Sequence, residues 1–368
     1  MSDDTLPEPD RIDGAPHPRE TRYLFGQALA EADFLDAFQS GRMHSGWLIT
    51  GPRGVGKATL AWKIATFLLA DEGLGLFGDP TLDVDPEHPD ARLMQAGAHP
   101  RLSVIRRPWD DKTKKLRAEI TVDAVRKLKT FFQMSSADGG RRVVIVDAAD
   151  ELNRNAANAI LKELEEPPAN TVILLIAHQP SRLLPTIRSR CRVLRCNTLG
   201  ADDLQKALSQ AGHDADNADS LAPLAGGSAG DAIRLLNHDG LQLYAELIRL
   251  FNGMPRIDRP MALKLADSCT GRAADVRYGM VLDLIDLFLS RAARAGLLGQ
   301  PLTEGAPGEG ALLARIAPND LMARNWAQLQ QDLSNRSRHG RAVNLDPAAL
   351  ILDIIFKIEE TALGVAAA

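Results

Sequence analysis

Residues 51–60 read GPRGVGKATL. Gly51, Gly56 and Lys57 fit the phosphate-cradling template G-x-x-x-x-G-K-S/T, but Ala58 stands where that template has a magnesium-binding hydroxyl. Upstream, SGWLITG (45–51) is a short apolar run ending in glycine. Downstream, TLAWKIATFLL sets Leu60, Ala61, Ile64, Phe67 and Leu68 at helical spacing. Strand, glycine-rich turn and helix form the context this loop needs, because its N–H groups and the helix N-terminus must converge on one anion.

Residues 71–100, rich in Gly, Pro and Asp, read as an insertion. RLSVI then reads as a strand, and ITVDAVRKLKTFFQM as a helix entered through Thr121 or Asp123. In RRVVIVDAAD, four consecutive β-branched residues at 143–146 predict a strand buried on both faces and ending at Asp147. NRNAANAILKELEEPP predicts a helix with Ala156, Ala157, Ile160, Leu161 and Leu164 on its core side, stopped by Pro167 and Pro168. TVILLIA is another buried strand. Strands alternating with helices imply a parallel, helix-covered sheet with the 51–58 loop at its carboxyl edge. Past about residue 200 the strand signal ends. Val276, Met280, Leu284 and Leu287, and later Ile351, Ile355 and Ile358, recur at helical spacing, interrupted by a Gly/Pro-rich loop at 304–309.

A chain of 368 residues exceeds one ordinary core, and three domains are expected. The start, MSDDTLPEPDRIDGAPHP, is acidic and proline-rich without an apolar run, which predicts a flexible leader over 1–17 and no secretory signal. No aliphatic run is long enough to cross a bilayer, and cytoplasmic residence is expected. A net charge of -5 gives no global footprint for DNA, so such contact would need a local basic patch. Arg101, Arg106, Arg107, Lys112, Lys114, Lys115 and Arg117 form one such run, which equally suits a solvated loop. The three cysteines, Cys191, Cys196 and Cys269, make neither a zinc quartet nor an even disulfide framework. If CRVLRC is a strand, its two cysteines fall on opposite faces.

In a hydrolase built on this loop, the amides at Gly51, Gly54 and Gly56 and the Lys57 ammonium would hold phosphates, and residue 58 would ligate Mg²⁺. Ala58 has no ligand atom. Thr59 is rotated by about 100° around the helix. Asp147 either orients a magnesium water or only caps the turn into the next helix. Ala148 occupies the place of a water-activating glutamate, whose loss removes roughly 10²- to 10⁴-fold of rate.

GPRGVGKATLA, AGAHPRLSVI, ITVDAVRKL, VVIVDAADELNRNAANAILKELEEPPANTVILLIA and LLPTIRSRC together resemble the bacterial clamp-loader AAA+ family, most closely its DNA polymerase III delta-prime type, over about residues 18–195. LEEPP followed by IRSRC is the most specific pair. GGSAGDAIRLL (226–236) and AVNLDPAALILDI (342–354) add weaker support. The resemblance implies an AAA+ P-loop α/β domain over 18–200, a helical lid over 201–240 and an all-α oligomerising collar over 241–368. It further implies a hetero-pentamer with gamma/tau-type ATPase subunits and a clamp-opening delta subunit, loading a sliding clamp onto primed DNA.

The arginine of the S-R-C motif, Arg190, would then reach a neighbour's ATP as an arginine finger, a device worth roughly 10³- to 10⁵-fold. From the residues alone, Arg190 among Arg188, Arg192 and Arg195 is a basic patch. Departures from the family pattern are equally informative. The zinc-binding quartet is absent, so no zinc is expected; Gly230 replaces a sensor arginine in GSAGDA; and Ala177 and His178 stand where active relatives favour threonines. No catalytic role is assigned to His178. The leading expectation is a subunit that needs no cofactor of its own, with ATP binding without hydrolysis at Gly51, Gly54, Gly56, Lys57, Thr59 and Asp147 left open. Its rivals are an active ATPase subunit using Thr59 and Asp150, and a metabolic phosphotransferase, for which no substrate-binding acid and base set is seen.

Overall fold

Val143 to Val146 are wholly buried in a strand covered on both faces, and the parallel sheet is built around them. The computed structural model describes residues 7–70, 81–134, 140–213, 218–271, 274–299, 301 and 303–367. Part of the expected insertion, 71–80, and the first six residues of the expected leader therefore lie outside the described residues. Five strands make the main sheet: β1 (Gly46–Thr50), β2 (Leu102–Arg106), β5 (Arg142–Asp147), β6 (Thr171–Ala177) and β7 (Arg192–Arg195). Two short strands, β3 (Trp109–Asp110) and β4 (Lys115–Leu116), form a separate antiparallel hairpin. The sheet order is β2-β5-β6-β1-β7 with every pairing parallel, so β1 lies between β6 and β7.

Side chains alternate between the two faces of this sheet. Trp47, Ile49, Val143, Ile145, Leu174 and Ile176 meet α1 (Ala28–Gln39) and α2 (Lys57–Ala70) on one side. Leu48, Val144, Val146, Ile173 and Leu175 meet α4 (Val122–Met134) and α5 (Arg154–Glu165) on the other. This three-layer arrangement, a parallel sheet covered by helices on both faces, is the α/β architecture that the motifs predict. The α5 helix is capped by Asn153, whose side chain accepts from Ala156 N at 2.9 Å, and it ends two residues before Pro167. Cys191 and Cys196 flank β7 and enter opposite core layers, as the odd spacing requires. Within the insertion, α3 (Pro89–Gln95) is a short helix.

The expected flexible leader needs correction over residues 7–17. His17 is fully buried, edge-on to Trp62, with Glu8 at 3.4 Å and Asp10 at 3.2 Å, and Arg106 binds Asp10 at 2.9 Å and Glu8 at 2.7 Å. Burial alone would raise both carboxyls, but their cationic and hydrogen-bonding partners hold Glu8 and Asp10 below the usual range. Composition suggested disorder because it registers acidic residues and not the buried histidine and arginine they meet.

The chain divides into two compact units, residues 1–215 with 227–233, and 216–226 with 234–368. The expected lid is thus shared between them: α7 (Ala201–Gln210) falls in the first unit and α8 (Ala218–Ala225) in the second, while α9 (Ala229–Asn237) begins in the first. Residues 227–233 join the first unit through bonds such as Leu199 N to Gly227 O at 2.8 Å.

The second unit is all helical among its described residues, with α10 (Gly240–Asn252), α11 (Arg259–Asp267), α12 (Asp275–Leu298), α13 (Glu309–Ile316), α14 (Asp320–Ala342) and α15 (Pro347–Ala367). Met280 and Leu284 are buried as the α12 pattern predicts, but Val276 is 54% exposed because it lies in the first turn, beyond the packed stripe. Glu309 is fully buried at the end of the 304–309 loop. It accepts from Tyr244 Oη at 2.6 Å, Gly305 N at 2.6 Å and Arg291 Nε at 2.5 Å. Removing one partner of such a buried pair strands the other, at about 3–5 kcal/mol. Glu309→Ala should therefore lower unfolding stability by about 3 kcal/mol or more in denaturant titration; a loss under about 0.5 kcal/mol, the range of neutral surface changes, would contradict this role.

Candidate functional site

The loop between β1 and α2 takes backbone conformations that only glycine adopts freely, with φ of 146° at Gly51, 70° at Gly54 and 97° at Gly56. Here the loop is packed on the protein's own chain. A Cβ on Gly54 would lie 2.2 Å from Ser228 Oγ and 2.9 Å from Gly230 Cα. Gly230 N donates to Gly54 O at 3.0 Å, and a Cβ on Gly230 would meet Gly54 Cα and Ile12 Cδ1 at 2.8 Å each. The position where the family resemblance expects a sensor arginine is thus a point of backbone-to-backbone contact with the phosphate loop. From the other side, buried Gln27 donates to Val55 O at 3.0 Å and Asn197 O at 2.8 Å, tying the loop to the end of β7.

Lys57 turns inward. Its Nζ donates to Gly51 O at 2.8 Å and to Pro52 O, and the residue is 3% exposed. Burial lowers its pKa to about 8, against the opposing pull of Cys196, Asp147 and Asp150. The cation that would meet a phosphate is bound to carbonyls of its own loop.

At the carboxyl end of β5, desolvation raises the Asp147 carboxyl to about 7, with Asp10 and Glu151 adding to the rise and Lys57 opposing it. Ala148 is buried and brings no carboxylate to the site. Asp150 is committed elsewhere, accepting His178 N at 3.0 Å and Gln179 N at 3.2 Å. Glu151 faces Arg53 at 3.4 Å and Arg107 at 2.9 Å. The His178 imidazole stays neutral, lowered to about 4 mainly by burial and then by Lys57 and Arg53. Thr59 is half-buried in the first turn of α2.

Arg190 follows α6 (Pro185–Arg188) and precedes β7. Its Nη1 donates to Thr186 O at 3.0 Å, its Nη2 lies 2.8 Å from Glu165 Oε1, and its side chain is 38% exposed. Its carbonyl oxygen would stand 3.3 Å from a Cβ on Gly46, the first residue of β1, whereas the phosphate loop begins after Thr50 at the other end of that strand. Four strand steps separate the two ends, roughly 13 Å. Arg190 and the loop therefore occupy opposite edges of one sheet. The adjacent Cys191 and Cys196 thiols are raised to about 12 and about 11, chiefly by burial, and are unreactive.

Of the basic run, Arg106, Arg107 and Arg117 pair with acids, and Arg101 donates to Leu69 O at 3.0 Å. Exposed Lys112, Lys114 and Lys115 on the hairpin form no ion pair among the described residues.

Residues 26–200 match the family model described as DNA polymerase III, delta subunit. Just under half of the chain is thus similar to that family. The chain is 41% identical over 193 residues to DNA polymerase III subunit delta' of Pseudomonas aeruginosa, covering 51% of this chain and 55% of the relative. It is 35% identical over 163 residues to subunit delta' of Escherichia coli strain K12, covering 43% of each. It is also 28% identical over 227 residues to subunit gamma of Buchnera aphidicola subsp. Schizaphis graminum, covering 60% of this chain and 58% of that one. The chain spans about half the length of the curated relatives it matches.

The sequence motifs single out the glycine loop, Lys57, Asp147 and Arg190, and the structure places four further residues against them: Ile12, Gln27, Ser228 and Glu165. Each acts through a partner distant in the sequence. Glu165 lies inside LEEPP and Ser228 inside GGSAGDAIRLL, stretches already singled out, but neither motif signals the contact its residue makes.

Two outcomes follow from this geometry. Because Gly230 has no room for a side chain, Gly230→Ala should cost about 1–3 kcal/mol by overpacking; an unchanged melting temperature would contradict the contact. Because the folded Asp147 carboxyl binds its proton more tightly than the unfolded one, its contribution to stability falls as pH rises from 3.8 to about 7. Asp147→Asn should therefore gain stability relative to the parent across that interval, with the gain constant above it. Thermal unfolding at pH 4 and pH 8 would measure this, and equal differences at both pH values would refute it.

Proposed function

We propose that the chain is a delta-prime-type clamp-loader subunit that does not hydrolyse ATP itself and lends Arg190 to ATP bound by a neighbouring subunit. The observation that carries the proposal is the placement of Arg190 at the sheet edge opposite its own phosphate loop, partly exposed. An arginine there serves an anion outside its own pocket. Its planar guanidinium can meet negative charge developing on a transferred phosphate without any motion of the loop.

The pocket itself lacks the parts of a phosphoryl-transfer site. Ala58 and Ala148 remove the metal and base ligands, Lys57 is bound to loop carbonyls, and Gly230 N holds Gly54 O. The rival reading, an active ATPase using Thr59 and Asp150, is disfavoured because Asp150 is spent on two backbone N–H groups. In the proposed assembly the neighbours are gamma/tau-type ATPase subunits and a clamp-opening delta subunit in a hetero-pentamer, and the work is loading a sliding clamp onto primed DNA in the cytoplasm. The family match over 26–200 and relatives named as delta', gamma and tau subunits support that setting. Lys112, Lys114 and Lys115 are the surface most suited to a phosphate backbone.

The isolated chain should show background ATP turnover that Lys57→Ala leaves unchanged. In a reconstituted loader, Arg190→Ala should slow hydrolysis at the neighbouring site by about 10³-fold or more in single-turnover assays with primed DNA. Brisk turnover by the chain alone, abolished by Lys57→Ala, would establish the rival reading.

A further inference from the structure

The two most family-specific motifs, LEEPP and SRC, come together at one ion pair. Glu165 is the last residue of α5, and its Oε1 lies 2.8 Å from Arg190 Nη2. Arg190 Nη1 donates to Thr186 O at 3.0 Å and lies 3.4 Å from Ser189 Oγ. The guanidinium is thus held from two elements, the end of α5 and α6 with its following residue Ser189, and its remaining N–H donors are uncommitted among the described residues.

We propose that Glu165 is the positioning residue for Arg190, fixing the plane of the guanidinium before a neighbour's phosphate arrives. The proposal rests on the in-trans role given to Arg190 above. A long arginine side chain loses rotamer freedom when it engages an anion; a partner that has already oriented it reduces that loss. The pair suits this task because it is partly exposed on both sides, 38% and 42%. Such pairs are weak, so a triphosphate carrying more charge can share or displace the carboxylate after it has set the geometry. A fully buried pair would withhold the finger. Because the Thr186 carbonyl contact remains when Glu165 is removed, the expected effect is a reduction in rate short of abolition.

The test is ATP turnover by the complete reconstituted loader with primed DNA, comparing parent, Glu165→Ala, Arg190→Ala and the double variant. Glu165→Ala should lower kcat about three- to fivefold, the range an exposed pair supplies, with KM for ATP unchanged. In the Arg190→Ala background the same substitution should have no further effect, because Glu165 acts only through Arg190. A Glu165→Ala loss that persists undiminished in that background would assign Glu165 a structural role and overturn the proposal. Full activity of Glu165→Ala beside a slow Arg190→Ala would overturn it while leaving the finger intact. Full activity of Arg190→Ala would overturn the finger and the positioning role together.

Discussion

Parallel pairing of β1 with both β6 and β7 is the constraint from which the rest of the first unit follows. It sends the phosphate loop out of the carboxyl end of β1 and brings the chain back to β7 at the amino end, where Arg190 waits. In a parallel sheet these two ends cannot meet, because each strand is covered by helices and separated from its neighbours only sideways. The distance between the loop and Arg190 is therefore set by strand length, and no side-chain rotation can close it. Glu165 reaches Arg190 because α5 runs from the acidic end of β5 back to the amino edge.

The pocket end is arranged as a closed electrostatic set. Lys57, Arg53 and Arg107 oppose Asp147, Asp10 and Glu151, and Gly230 packs against the loop at Gly54. Burying a cation away from its substrate is expensive unless carbonyls or carboxylates satisfy it, and Lys57 finds two carbonyls within its own loop. The ammonium thus holds the loop together from inside. The retained glycines serve the same end, since each permits a turn or an approach that a Cβ would block.

The second unit follows a different logic, with long helices whose buried stripes meet and whose buried carboxylates among the described residues, Glu309 and Glu359, are paired. Glu309 and Glu359 each gather backbone and arginine donors from sequence-distant segments, Glu359 accepting Ile257 N at 2.8 Å and Arg259 Nη2 at 2.7 Å. These are costly groups to bury, and their complete satisfaction fixes which loop docks on which helix.

The secondary-structure elements could be read from the amino-acid order alone. Val143–Val146, TVILLIA and the helix stopped at Pro167 were legible because burial on both faces, helical period and proline chemistry are local properties. It also determined the chemical deficits at Ala58 and Ala148, since a missing ligand atom needs no structure to be seen. The folded chain alone reveals that residues 7–17 are anchored by Arg106, that Gly230 lies on Gly54, that Gln27 clips the loop and that Glu165 holds Arg190. Those facts are pairings between residues tens to nearly two hundred positions apart, and neither composition nor periodicity carries information about such pairs. The course of the chain through the sheet brings them together.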